Sequence, residues 1–211
     1  MVAEEGNSRE LDRLIFFSDA VFAIVMTLLV LDIRVPDVPS DVAAQELPGL
    51  VFELWPKFFS YVLSFFVVGL YWIAHHQTFR YVRSYDRTLL WLNLAFLLSV
   101  TFVPFPTDLL GEYGELRFSV IFYAISLGMV RLLLAAVWWY VTSSRIRTSV
   151  DLDRGLARFN SYRGLVVPVI FFLSAGVALV SPNVAAASWV LLFVVDGVLW
   201  RLWRRLGGTR G

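Results

Sequence analysis

The chain has 211 residues, of which 58% are hydrophobic, 16% aromatic and 17% charged, with a mean hydropathy of +0.70 and a formal net charge of +1. An average soluble domain is about half apolar and about a quarter charged, so both quantities shift toward lipid and exclude a soluble enzyme with a polar shell. No cysteine is present, which excludes thiol catalysis, disulfides and Cys-ligated metals.

The first thirteen residues are polar and acidic. The apolar run that follows, 14–34, is too long for the core of a signal peptide, so a cleaved leader is not expected. Five further runs follow at 58–79, 88–109, 118–141, 163–181 and 184–203. Each is long enough to cross about 30 Å of hydrocarbon as a helix, the open form that satisfies its own backbone in lipid. The expected fold is therefore an all-α membrane protein with six transmembrane helices in a single domain, 1–211.

The first run opens with Arg13, Phe17, Ser18 and Asp19. Six residues separate Arg13 from Asp19, too many for an i,i+4 pair, so each needs a partner on another helix or subunit. Beyond Asp19, the residues Ile24, Thr27, Leu28 and Leu31 recur at i, i+3, i+4 and i+7 along one helical stripe, and Asp32 ends the run. The stripe fits plain helix packing as well as a pore wall. From Pro36 to Pro56 the link also contains Pro39 and Pro48, a stiff crossing with room for a short helix around 41–46.

His75 and His76 lie near the end of the second run, and Asn93 lies one to two turns into the third. With Asp19 they form a polar belt at one depth, either pinning helices together or serving ion passage or proton sensing. Adjacent histidines point about 100° apart on a helix, so they do not share a metal. With no other histidine, neither a metal site nor a cofactor is expected.

In the fourth run Arg131 follows Arg117 by fourteen residues, about 21 Å of rise, and in the sixth Asp196 follows Val184 by twelve, about 18 Å. The depths match, which predicts a structural ion pair between helices. The link from Ser143 to Asn160 has room for an amphipathic turn or two, and Ser181-Pro182-Asn183 makes a tight turn.

Basic residues gather in alternate segments: Arg9 and Arg13; Arg80, Arg83 and Arg87; Arg145, Arg147, Arg154, Arg158 and Arg163; and Arg201, Arg204, Arg205 and Arg210. The intervening links are acidic, with Asp37, Asp41, Glu46 and Glu53 in one and Asp108, Glu112 and Glu115 in the next. Short loops rich in Arg stay in the cytoplasm. Both termini are therefore expected inside, in a multi-pass protein of the cell membrane, with lipid and not nucleic acid as its surroundings.

The run Arg13-x-x-x-Phe17-Ser18-Asp19, followed by Ile24 and then Thr27-Leu28, resembles the signature of the transmembrane protein 175 family of potassium channels. Tyr71-Trp72-Ile73-Ala74-His75-His76 and Leu92-Asn93-Leu94 through Pro104-Phe105-Pro106 extend the resemblance over the first half; the second half matches mainly by span count. The resemblance implies a six-helix subunit whose first helix lines a central pore. Animal members carry two such repeats and form dimers; a single repeat is similar to the bacterial members, which implies a symmetric homotetramer. Ile24 would then form a narrow apolar ring, Leu28 and Leu31 further rings, and Thr27 hydroxyls that favour potassium over sodium. Arg13, Phe17, Ser18 and Asp19 would join a network with Asn93 and His75 or His76, and Asp32 would sit at the outer mouth.

A constriction of aliphatic side chains blocks ions by dewetting and passes them when helix motion widens it. The filter sequence Thr-Val-Gly-Tyr-Gly is absent, and Gly111-Glu112-Tyr113-Gly114 lacks its pattern, so selectivity weaker than that of a carbonyl-ring filter is expected. The expected function is a leak-type potassium channel and not an enzyme. The alternative is a proton-coupled secondary transporter using Asp19 and a histidine; no inverted repeat or pair of broken helices supports it.

Overall fold

The computed structural model describes residues 2–84, 86–143, 148, 154–192, 197–198 and 201, with side chains from Arg9 onward in the first helix and from Gly155 in the helix that starts at Arg154. These residues form eight α-helices: α1 (Val2–Leu28), extended by a 3-10 turn Leu29–Asp32, α2 (Ala43–Glu53), α3 (Trp55–Phe79), α4 (Arg87–Thr101), α5 (Pro104–Tyr113), α6 (Arg117–Thr142), α7 (Arg154–Ala178) and α8 (Pro182–Ser188). Five segments among the described residues are long and apolar enough to span a membrane: Arg9–Asp32, Trp55–Phe79, Arg87–Tyr113, Arg117–Thr142 and Gly155–Ala178. α8 opens a shorter apolar stretch, Pro182–Leu192. Most of the remainder of the expected sixth span, Asp196 included, lies outside the described residues.

Three boundaries differ from expectation for local reasons. α1 runs back to Val2, so the polar arm continues the helix instead of leading into it. α2 forms later and longer than 41–46, passing through Pro48 to Glu53. The third span is broken between α4 and α5, where Pro104 and Pro106 each remove a backbone donor. Val103 N–H bonds back to Val100 C=O at 3.1 Å, and the Thr107 hydroxyl, 2.9 Å from Val103 C=O, supplies a side-chain donor there.

α6 is the central helix, packed along α7 and against α3, α4 and α5. Val120, Tyr123, Leu127, Leu134, Val137 and Val141 are buried along it. Close approach depends on small residues, the usual device where lipid removes any hydrophobic preference between helices. A Cβ on Gly128 of α6 would stand 3.0 Å from the Phe172 ring and 3.2 Å from Phe171 Cβ on α7. Gly128→Ala is therefore expected to lower the stability of the detergent-solubilised protein by about 1–3 kcal/mol, as overpacking does; an unshifted melting temperature would contradict this packing.

Several buried polar side chains are paired across helices, while among the described residues the Ser119 hydroxyl on α6 is buried without a hydrogen-bond partner. The Ser64 and Tyr123 hydroxyls share a hydrogen bond (2.9 Å), Thr107 Oγ1 lies 2.8 Å from Ser64 Oγ, and the Tyr71 hydroxyl donates to Leu127 C=O (2.9 Å). At the Arg-rich end, Asp86 caps α4 by accepting from Leu89 N–H (2.8 Å) and also accepts from the Tyr140 hydroxyl (2.6 Å) on α6. An isolated bridge between Val82 and Thr148 joins the two basic links. At the opposite end Lys57 forms an ion pair with Glu112.

Candidate functional site

α1 packs against α3 and α4 with one face only. Ser18, Phe22, Val25 and Leu29 are buried on that face. The other face is uncovered from end to end: Arg13, Phe17, Ala20, Ile24, Thr27, Leu28 and Leu31 are all exposed in the subunit, with Ile24 at 58%, Leu28 at 42% and Leu31 at 64%. Positions 13, 17, 20, 24, 27 and 31 alternate in steps of four and three, the a/d spacing by which helices meet other helices along a seam. The Thr27 hydroxyl donates to Ile24 C=O (2.8 Å), so its proton is engaged within the helix and its oxygen remains free to accept.

The buried face carries a hydrogen-bonded chain across three helices. Ser18 Oγ donates to Leu14 C=O (2.9 Å) and accepts from Asn93 Nδ2 (3.0 Å). Asn93 Oδ1 lies 3.0 Å from His75 Nε2. Because the Ser18 proton is committed to Leu14, the Asn93 amide must present its NH2 to Ser18 and its oxygen to His75. His75 therefore carries its proton on Nε2, an assignment made from the hydrogen-bond network. All three side chains are 0% exposed.

The remaining surroundings of His75 are aromatic. Its ring stacks on Phe79 (centroids 4.3 Å apart) and on Phe96 (5.5 Å), with Phe22 of α1 at 5.8 Å, and Nδ1 is buried without a hydrogen-bond partner. An imidazolium would place a second N–H donor at that unpartnered position, so the cage suits the neutral ring.

Asp19 takes a partner that the sequence pattern includes in the second run without pairing it: Trp72 Nε1 donates to Asp19 Oδ1 (2.9 Å). Trp72 stands three residues before His75 on α3, a helical neighbour, and that spacing was the available signal. His76 is exposed, near the Trp72 ring (6.0 Å), and is not hydrogen-bonded into the chain of Ser18, Asn93 and His75. Arg13 makes no ion pair or hydrogen bond among the described residues, and Phe17 is uncovered beside it. Thus Ser18, His75 and Asn93 come together, Asp19 joins α3 through Trp72, and Arg13, Phe17 and His76 stay apart.

Asp32 lines a small crevice with Lys57, Ser60, Thr107 and Asp108, and its Oδ2 is enclosed there without a hydrogen-bond partner. Arg131 is half-buried and lines a cavity between α3, α6 and α7; its expected partner Asp196 lies outside the described residues. Among the described residues, no three His, Asp or Glu side chains converge as metal ligands.

Comparison with known proteins agrees with this architecture. Residues 13–104 match the family described as endosomal/lysosomal potassium channel TMEM175. A potassium channel of Streptomyces collinus is 39% identical over 192 residues, covering 89% of this chain and 92% of that protein. One from Chamaesiphon minutus is 33% identical over 183 residues, covering 82% and 90%. The mouse endosomal/lysosomal proton channel TMEM175 is 46% identical over 98 residues, 44% of this chain and 19% of the mouse protein. The crystal structure of a lysosomal potassium-selective channel TMEM175 homolog from Chamaesiphon minutus superposes with a TM-score of 0.78 at 27% identity, covering 90% of this chain and 97% of that one. This membrane-spanning, all-helical chain belongs to the TMEM175 family, a family of ion channels and not of enzymes.

Proposed function

We propose that the chain is one subunit of a leak-type, potassium-permeable cation channel, a homotetramer of six-span subunits whose pore is lined by α1 from each copy. The observation that carries this reading is the uncovered stripe Arg13, Phe17, Ala20, Ile24, Thr27 and Leu31, heptad-spaced along the full span and opposite the face that packs on α3 and α4. One helix cannot enclose a pore, so such a stripe requires symmetric copies about an axis. Relatives named as potassium channels along nearly the full chain support the choice of ion.

In this arrangement Ile24 forms the narrowest ring, and Leu28 and Leu31 add apolar rings toward the acidic end. Asp32, with Asp108 across its crevice, contributes negative potential at the outer mouth. Both termini lie in the cytoplasm, where the Arg-rich links belong. Ser18, Asn93 and His75 hold the back of α1 so that its stripe keeps one rotation, and Trp72 does the same through Asp19.

The test is ion flux through purified protein in liposomes. Current should reverse at a potential set by the potassium gradient; a reversal that shifts with the gradient of a co-substrate coupled to protons would instead identify a coupled carrier. Thr27→Ala should lower the potassium-to-sodium permeability ratio by about two- to tenfold, since a ring of hydroxyl oxygens replaces part of the hydration shell of a passing ion. An unchanged ratio in bi-ionic recordings would place selectivity elsewhere.

A further inference from the structure

Where the last turn of α6 meets the first turns of α7, an open groove of about 440 Å³ is lined by Trp139 and Thr142 on one side and by Ala157, Arg158, Tyr162 and Leu165 on the other. The two helices supply the spans Arg117–Thr142 and Gly155–Ala178, so the groove lies where hydrocarbon gives way to the membrane surface. Its walls are tied together. Trp138 Nε1 donates to Ser161 Oγ (3.1 Å), which in turn donates to Ala157 C=O (2.9 Å).

The donors of the groove are unspent. Among the described residues the exposed Arg158 guanidinium makes no ion pair, and neither it nor the Tyr162 hydroxyl makes a hydrogen bond. No carboxylate among the described residues lines the groove. In sequence, the stretch 143–163 holds Arg145, Arg147, Arg154, Arg158 and Arg163 against only Asp151 and Asp153, too few carboxylates to neutralise it.

Beyond Arg158 the same face of α7 changes character. Tyr162, Leu165, Val169 and Phe172 follow at steps of four and three, one stripe of the helix. Tyr162 is 73% exposed, and Val169 and Phe172 remain uncovered although apolar. The stripe thus passes from a cation through an aromatic ring to hydrocarbon over about 21 Å of helix. One leaflet with its headgroups is about 20–22 Å thick and has the same order of chemistry.

We propose that this groove binds one anionic phospholipid, with its phosphate on Arg158 and an acyl chain along Leu165, Val169 and Phe172. A guanidinium takes two phosphate oxygens side by side, and the Tyr162 hydroxyl adds a donor across from the Trp139 ring. A zwitterionic headgroup carries the same phosphate, but its ammonium meets the field of the arginine-rich stretch, which favours a net negative lipid. The bound lipid clamps the ends of α6 and α7, away from α1 and its uncovered stripe.

The detergent-solubilised full chain is titrated with a short-chain phosphatidylglycerol, with the matching phosphatidylcholine, and with glycerol phosphate, the headgroup without its chains; the melting temperature is read at saturation. Phosphatidylglycerol should raise it by about 3–5 °C, phosphatidylcholine by less than about half as much, and glycerol phosphate not measurably. Arg158→Gln should remove the excess given by phosphatidylglycerol, and the protein should still fold because that side chain is exposed. Arg80→Gln takes one charge from a different basic link and should keep the excess. Ala157→Phe leaves the charge in place, fills the groove and should lose most of the excess. Equal rises with the two lipids overturn the proposal, as does an excess that Arg158→Gln retains. A loss of the same size in Arg80→Gln would reduce the effect to diffuse surface charge, and a full rise with glycerol phosphate would remove the acyl chain from the site.; either result overturns it as well.

Discussion

Ile24→Asn is expected to raise basal potassium current about tenfold or more, equivalent to lowering the conduction barrier by about 1.4 kcal/mol. In the proposed tetramer, four Ile24 side chains close on one another at the middle of the stripe. A narrow ring of sec-butyl groups offers water no hydrogen bonds and empties, and an ion crossing a dry ring must shed hydration without replacement. Asparagine is smaller and brings an amide, so the ring stays wet. The fold should tolerate the change, because Ile24 is 58% exposed and belongs to the face that packs on neither α3 nor α4. Ile24→Val, which keeps the ring apolar, should leave current near the wild-type level. Unchanged current in Ile24→Asn, with channel protein present in equal amount, would remove Ile24 from the constriction.

Five of the spans were legible because they depend on composition, on long apolar runs; the proposed sidedness rests on arginine gathered mainly in alternate links, with Arg34 and Arg117 as exceptions. The rotation of each helix was less legible. In water an apolar stripe marks the inside, but lipid is as apolar as a protein core, and on α3 the phenylalanines 58, 59 and 66 are exposed while Ser60, Ser64, Tyr71, His75 and Thr78 are buried. The informative period is therefore that of small and polar residues. His75 continues that period and His76 departs from it by about 100°, which is why adjacency in sequence left the choice open. Trp72 figured only within the Tyr71–His76 run and without a partner, because spacing along one helix does not show which residue of another helix its indole N–H reaches; here it answers Asp19. The break at Pro104 follows from two missing donors. The matching depths of Arg131 and Asp196 fix height but not rotation, and Asp196 stands outside the described residues.

Asn93→Ala is expected to lower the stability of the solubilised protein by about 2–4 kcal/mol, the largest loss of any single change in the network. Among the described residues its amide is the bridge between Ser18 and the imidazole, and both neighbours are fully buried. Truncation leaves the His75 Nε2–H without an acceptor in an aromatic cage, where an unmet donor costs about 1–3 kcal/mol, and adds a void. Ser18→Ala should cost less, because it strands only one amide hydrogen of Asn93 and deletes a local bond to Leu14. The double variant should fall short of the sum by about 1 kcal/mol, the coupling of a direct hydrogen-bonded pair. Melting curves of the two singles and the double close this cycle; strict additivity would mean that Ser18 and Asn93 do not act on one another. His75→Ala should resemble Asn93→Ala, whereas His76→Ala, outside the chain of bonds, should shift the melting temperature little. If His76→Ala is the more damaging of the two, α3 is rotated from the position described, and the buried face of α1 is held by a different set of contacts.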